Sequence, residues 1–169
     1  MLIIKWISLI LIFVTTFFIG ILISIKYKKR VEELKEMKNA LSMFETKIKY
    51  TYEPIPEIFN QISQISTNNI SNIFKNSKKY MKNLNAGTAW TKALDESSTY
   101  LIKDDIDVLK GLGKLLGKTD LQGQISEIEL ASSFLDVQIE KARKDQDKNE
   151  KMYKTLGAVI GLAFVIVLI

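Results

Sequence analysis

Apolar residues gather at the two ends of the chain and recur at helical spacing between them. From Trp6 to Ile25 twenty consecutive residues carry no charge. At about 1.5 Å per residue, a helix of that length spans about 30 Å, the thickness of a bilayer core. Thr155 to Ile169 is a second uncharged stretch, of 15 residues. It would make a helix of about 22 Å, short enough to need local thinning of the bilayer. The pattern predicts membrane helices over residues 1–26 and 155–169.

The flanks of these segments set an expected topology. Lys26-Tyr27-Lys28-Lys29-Arg30 follows the first segment, and Lys148, Lys151 and Lys154 precede the second. Both basic flanks face the middle of the chain. The positive-inside rule then places the central region in the cytoplasm and both termini outside, with Lys5 as a weak opposing charge. A secretory signal peptide carries its charge before a shorter apolar core and ends in a small-residue cleavage site, so the first segment reads as a retained anchor. Tyr27, Lys28, Lys29 and Arg30, with Lys151, Tyr153 and Lys154, are expected at the inner interface, and Trp6 at the outer one. Thr16, Gly20 and Ser24 form a stripe of small residues, as do Gly157 and Gly161. Such stripes let membrane helices approach closely. Depth counted from the basic flanks pairs Ser24 with Gly157 and Gly20 with Gly161, in an antiparallel pair. A homo-oligomer is the other arrangement the stripes allow.

Between the anchors the period is that of α-helix, with no strand-like alternation. The expected fold is all-α: a cytoplasmic six-helix bundle over 27–142, flanked by the membrane helices. Val31, Leu34, Met37, Leu41, Phe44, Ile48 and Tyr52 make one stripe, ended by Pro54 and Pro56. Pro56 suits the first turn of a second helix burying Ile58, Phe59, Ile62 and Ile65. Thr67-Asn68-Asn69 breaks and caps. A third helix carries Ile70, Ile73, Phe74, Tyr80, Met81 and Leu84. Thr88 is placed to cap a short fourth helix holding Trp90 and Leu94. Asp104 or Asp105 is placed to start a fifth, with Ile106, Leu109, Leu112 and Leu116 inward. Gly117 sits like the glycine that reverses out of a helix, and Thr119 or Asp120 like the next cap. Ile125, Ile128, Ser132, Leu135, Ile139 and Ala142 line the last helix. Residues 143–154 lose that apolar face and read as a charged juxtamembrane helix, solvated or resting on lipid headgroups.

Composition narrows the chemistry. The chain has no Cys and no His, which excludes disulfides, thiol nucleophiles, Cys or His metal sites and Ser-His-Asp triads. The net charge of +5 comes almost entirely from Lys, since Arg occurs only at Arg30 and Arg143. Lys is a point charge without a bidentate fork, so the basic balance points to a membrane surface and away from nucleic acid. The carboxylate pairs Glu32-Glu33, Asp104-Asp105 and Asp145-x-Asp147 do not converge at those spacings and read as solvated surface or caps. Gly111-Leu-Gly113 and Gly117 lack the spacing of a phosphate loop. No catalytic, cofactor or metal site is expected. With no charge inside either anchor, a channel or transporter acting alone is disfavoured.

Four segments together resemble the stage III sporulation protein AB family of endospore-forming bacteria. They are Arg30-Val-Glu-Glu-Leu-Lys-Glu-Met-Lys-Asn-Ala-Leu-Ser-Met-Phe-Glu-Thr-Lys-Ile48, Pro54-Ile-Pro-Glu-Ile-Phe59, Leu116-Gly-Lys-Thr-Asp-Leu-Gln-Gly-Gln-Ile125 and Asn149-Glu-Lys-Met-Tyr-Lys-Thr-Leu-Gly157. Lys47 stands where the first pattern has an acid, and Phe44 where it has a Leu. Gly87-Thr-Ala-Trp-Thr-Lys-Ala-Leu94 and the glycine-rich Leu109–Asp120 turn are similar to the cytoplasmic platform domain of type II secretion and type IV pilus systems. The resemblance implies a platform-like part of a mother-cell-to-forespore channel complex. Its implied place is the mother-cell membrane engulfing the forespore. Its implied partners are the stage III sporulation protein AA ATPase and other membrane components of that complex. On that basis Glu45, Thr46, Gly117, Asp120 and Gln124 are interaction candidates. A membrane-anchored adaptor unrelated to secretion is the alternative. A membrane enzyme built from carboxylate, hydroxyl and Lys groups would require a deep pocket with convergent carboxylates.

Overall fold

The computed structural model describes residues 2–66 and 68–168. Among them the chain forms six α-helices and no strand: α1 (Leu2–Thr51), α2 (Ile55–Ile65), α3 (Asn68–Tyr80), α4 (Ala86–Asp95), α5 (Lys103–Gly113) and α6 (Leu121–Leu168). The chain divides into two compact units. One joins Met1–Val31 with Lys141–Ile169, and the other is Glu32–Glu140.

In the helical unit 32–140, the stripe of α1 is buried as its period requires, from Leu34 and Met37 to Phe44 and Ile48. The core centres on four aromatic rings. Phe59 packs edge-on to Phe44 at 5.1 Å and to Phe74 at 5.0 Å, and Trp90 leans on Phe59 and Phe74 at 5.6 and 5.3 Å. Such pairs contribute about 0.5–1.5 kcal/mol each beyond area burial. The Trp90 indole N–H donates to the Leu109 carbonyl at 2.7 Å, so its polar edge is satisfied inside the core.

Glycine sets how closely α4 and α5 approach. A Cβ on Gly113 would lie 3.0 Å from the Trp90 ring and 3.2 Å from the Gly87 carbonyl oxygen, and one on Gly87 would run into the Gly113 backbone. Residues 87–94 and the glycine-rich end of α5 thus meet at one helix crossing.

Several expectations are corrected at the element ends. Tyr52 falls outside α1 with φ 53° and is exposed. Pro54 removes a backbone donor and forces the chain out of the helix before the stripe reaches Tyr52. Ile65 is exposed at the last position of α2, and α3 stops at Tyr80, leaving Leu84 exposed. Asn85, not Thr88, caps α4: its side-chain oxygen accepts the Thr88 N–H at 2.9 Å. Neither Asp104 nor Asp105 starts α5. The helix begins at Lys103, and the buried Asp105 carboxylate reaches back to accept the Ile102 N–H at 3.0 Å. On α6 the inward residue is Ala131, with Ser132 half-buried. The expected break at Thr67 lies outside the described residues.

In the other unit, the 2–31 part of α1 runs beside the 141–168 part of α6. Over an 18-residue window α1 has a mean hydropathy of 2.6 with only 17% of the window buried, and it is long and apolar enough to cross a membrane. Apolar side chains such as Leu11, Phe18 and Leu22 face outward, as do Val159, Leu162 and Phe164 on α6.

Candidate interaction sites

The helix pair is built on its small residues. A Cβ on Gly20 would lie 2.5 Å from the Tyr153 carbonyl oxygen and 3.2 Å from Gly157 Cα. A Cβ on Gly161 would lie 2.7 Å from the Thr16 hydroxyl. Gly20 therefore faces Gly157, and Thr16 faces Gly161. The expected register, with Ser24 opposite Gly157 and Gly20 opposite Gly161, is one helical turn off. Counting from the basic flanks mispaired the helices because the closest backbone approach, and not the position of the charges, sets the register. The Thr16 hydroxyl donates to the Ile12 carbonyl and the buried Ser24 hydroxyl to the Ile21 carbonyl, so neither carries an unpaired donor.

The polar end of the pair holds what the pattern of apolar residues did not signal. Tyr27 stacks on Tyr153 at 5.9 Å between ring centroids. Arg30, read as an interface residue, is buried, and its guanidinium donates to Asp145 at 3.0 Å. Over residues 143–154 the helix continues with most positions exposed, and it also meets α1 through these polar groups. Lys28, Lys29 and Arg30 all take part in polar interactions. Lys154 donates to Glu150 at 2.7 Å, and Lys151 is exposed. Hydrogen bonds from Lys154 and Gln146 hold the Glu150 carboxyl below the ordinary glutamate range. Trp6 is exposed at the far end of the pair.

In the helical unit the candidates separate. α5 ends at Gly113, and residues 114–118 add a turn closed by the Lys118 N–H on the Leu115 carbonyl at 2.9 Å. Gly117 ends that turn, not α5 itself, with φ 74°, a value costly for residues with a Cβ. Asp120 caps α6 by accepting the Gly123 N–H at 2.9 Å. Gln124 donates to the Thr119 carbonyl at 3.2 Å, while its own carbonyl oxygen and the Thr119 hydroxyl are buried without a partner. Gln124 also lines an open groove of about 240 Å³ with Ile48, Tyr52, Pro54 and Leu121. Glu45 is half-buried on α1, and Thr46 is exposed with its hydroxyl turned back to the Ser42 carbonyl. Neither lines that groove.

One buried carboxylate, Glu33, corrects the surface reading of its pair. Glu33 accepts from the Asn69 amide at 2.5 Å and from the Tyr100 backbone N–H at 2.7 Å, tying α1 to α3 and to the segment before α5. Asp105 is the cap partner described above. Lys47, the departure from the family pattern, donates to Glu53 at 3.3 Å, and Gln61 donates to the other Glu53 oxygen at 2.6 Å. Partial burial pushes the Glu53 carboxyl up, but the bonds from Thr51, Lys47 and Gln61 outweigh it and leave the group below its ordinary value. Among the described residues no group of His, Cys, Asp and Glu could hold a metal ion.

Comparison with known proteins gives a consistent result. A family model described as stage III sporulation protein AB matches residues 5–169. The sequence is 29% identical over 171 residues to stage III sporulation protein AB of Bacillus subtilis (strain 168), covering 97% of this chain and 98% of that protein. A solved structure of a stage III sporulation protein AB is similar at a TM-score of 0.65 and 27% identity, covering 71% of this chain and 98% of the solved one.

Proposed function

The chain belongs to the stage III sporulation protein AB family, and from that premise we propose that it is a membrane-embedded, platform-like structural component of a secretion-like channel complex between mother cell and forespore. In this reading it couples a cytoplasmic ATPase, the stage III sporulation protein AA motor, to the membrane parts of the complex. The apolar ends cross the mother-cell-derived outer forespore membrane twice, with the helical unit in the cytoplasm and the termini outside. The role is structural and not enzymatic.

The observation that carries the reading is the division of labour along α1 and α6. Each contains an apolar segment and a segment that belongs to the helical unit. Glycine-mediated contact holds the apolar segments together, as close packing in lipid requires. Their outward faces are apolar, and exposed apolar area of that extent calls for a lipid or protein environment. A platform needs this combination: a membrane part, and a folded surface for a motor to push against.

The test is binding of the full chain, held in lipid nanodiscs, to the purified ATPase with and without ATP. The proposal expects saturable, nucleotide-sensitive binding that weakens on Glu45→Lys or Asp120→Lys. No binding at tens of micromolar by a folded chain would overturn the coupling role.

A further inference from the structure

The helical unit carries an open groove of about 560 Å³ between α5 and α6. Its floor is apolar, made by Val108, Leu112, Ala131 and the half-exposed Leu130 and Phe134. The apolar strip continues to Val137, also half-exposed. From Leu130 to Val137 the strip covers about 10 Å, two helical turns. That length suits a second helix presenting residues at i, i+3 or i+4, and i+7.

The rim has a definite electrostatic character. Asp104, Asp107 and Glu127 line it with one cation, Lys114. Among the described residues none of these three carboxylates has an ion-pair partner. Gln138 also lines the groove, is 7% exposed, and its amide oxygen is buried without a donor. The apolar floor and the acidic rim ask for the same kind of occupant.

We propose that the α5–α6 groove is a docking site for a basic amphipathic helix of a protein partner. The partner's apolar stripe lies on Leu130 and Phe134, and its Lys or Arg side chains face Asp104, Asp107 and Glu127. This deepens the platform reading and rests on it. It places the partner on a surface separate from the residues that family resemblance singled out.

The experiment uses the full chain in phosphatidylcholine nanodiscs and two fluorescein-labelled 18-residue amphipathic peptides of one pattern, Leu/Lys and Leu/Glu. Anisotropy is measured against empty discs. The Leu/Lys peptide is expected to bind at least tenfold tighter than the Leu/Glu peptide. Combined Asp104→Lys, Asp107→Lys and Glu127→Lys substitution should reverse that preference. Phe134→Ser, at a half-exposed position, should weaken Leu/Lys binding at least fivefold. Equal binding of the two peptides, or binding that ignores Phe134→Ser, overturns the proposal. Disulfide-linked dimers of a Phe134→Cys chain, in a protein with no other thiol, would overturn it by placing a second copy in the groove. A chain that ignores the ATPase yet discriminates the peptides keeps the groove and loses the motor. One that binds the ATPase with Phe134→Ser unfelt and no peptide preference does the opposite.

Discussion

Replacing Glu33 tests whether a polar tie, and not only the aromatic core, holds the helical unit together. Its carboxylate accepts one hydrogen bond from the Asn69 side chain and one from the Tyr100 backbone. Hydrogen bonds to a charged group are worth about 1.5–3 kcal/mol each, so Glu33→Ala would cost about 3–6 kcal/mol if both donors were left dry. The Tyr100 bond to Glu33 is only partly buried, so water can take the place of the carboxylate there. The low end, about 3 kcal/mol, therefore applies. For a unit of about 100 residues that lowers Tm by roughly 12 °C or more. Glu33→Gln keeps one acceptor and should lose about half as much. The assay is thermal unfolding followed by Trp90 fluorescence in a Trp6→Phe background, which leaves a single indole, in the core. The exposed Glu129→Ala is the control and should stay within about 0.5 kcal/mol. If Glu33→Ala unfolds within 2 °C of its parent, the tie contributes nothing and the reasoning fails.

Bulky side chains in the helix pair should separate it. With cysteines at Tyr27 and Tyr153, whose rings stack, disulfide yield should fall severalfold when Gly20→Leu is added, since its Cβ would meet the Tyr153 carbonyl; an unchanged yield would contradict the glycine contact. Gly117→Ala should cost about 1–2 kcal/mol because of its φ of 74°, read by the same fluorescence melt, and Gly117→Asn should cost less. The Glu53 carboxyl should titrate below ordinary glutamate by carbon-13 NMR, and Lys47→Met should raise its midpoint. Because that pKa is depressed on folding, the associated stability is present above the unfolded value and is lost as pH falls through the folded one. A midpoint that ignores Lys47→Met would exclude the ion pair as a cause.

Periodicity was the strongest signal in the sequence. The stripe from Leu34 to Ile48 and the inward sets of α5 and α6 are legible because apolar side chains recurring every three to four residues have only one way to be buried together. Small residues at Gly20, Gly157 and Gly161 revealed that two helices approach, but not their register. Register depends on which backbone atoms collide, and no count along the chain contains that. The partners of Glu33 and Arg30 were missed for a related reason. A buried charge is identified by its partner, and Glu33 finds its partners at Asn69 and Tyr100, far away in sequence. Likewise, Asn85 and Thr88 are both good caps, and only the chain path decides between them. The α5–α6 groove left a trace in Leu130, Phe134 and Val137. Their spacing is helical, but they lie on the face opposite the expected core stripe.

The account turns on a chain that crosses the membrane twice and keeps its helical unit on the motor's side. Single cysteines placed at the exposed Ile7, Asn72 and Val167 in this otherwise thiol-free chain allow a direct measurement. The reagent is a membrane-impermeant maleimide, added to intact cells before engulfment closes. Labelling at Ile7 and Val167 without permeabilisation, with Asn72 reached only afterwards, is the predicted pattern. Labelling at Asn72 from outside in intact cells would put the helical unit on the wrong face and contradict the account.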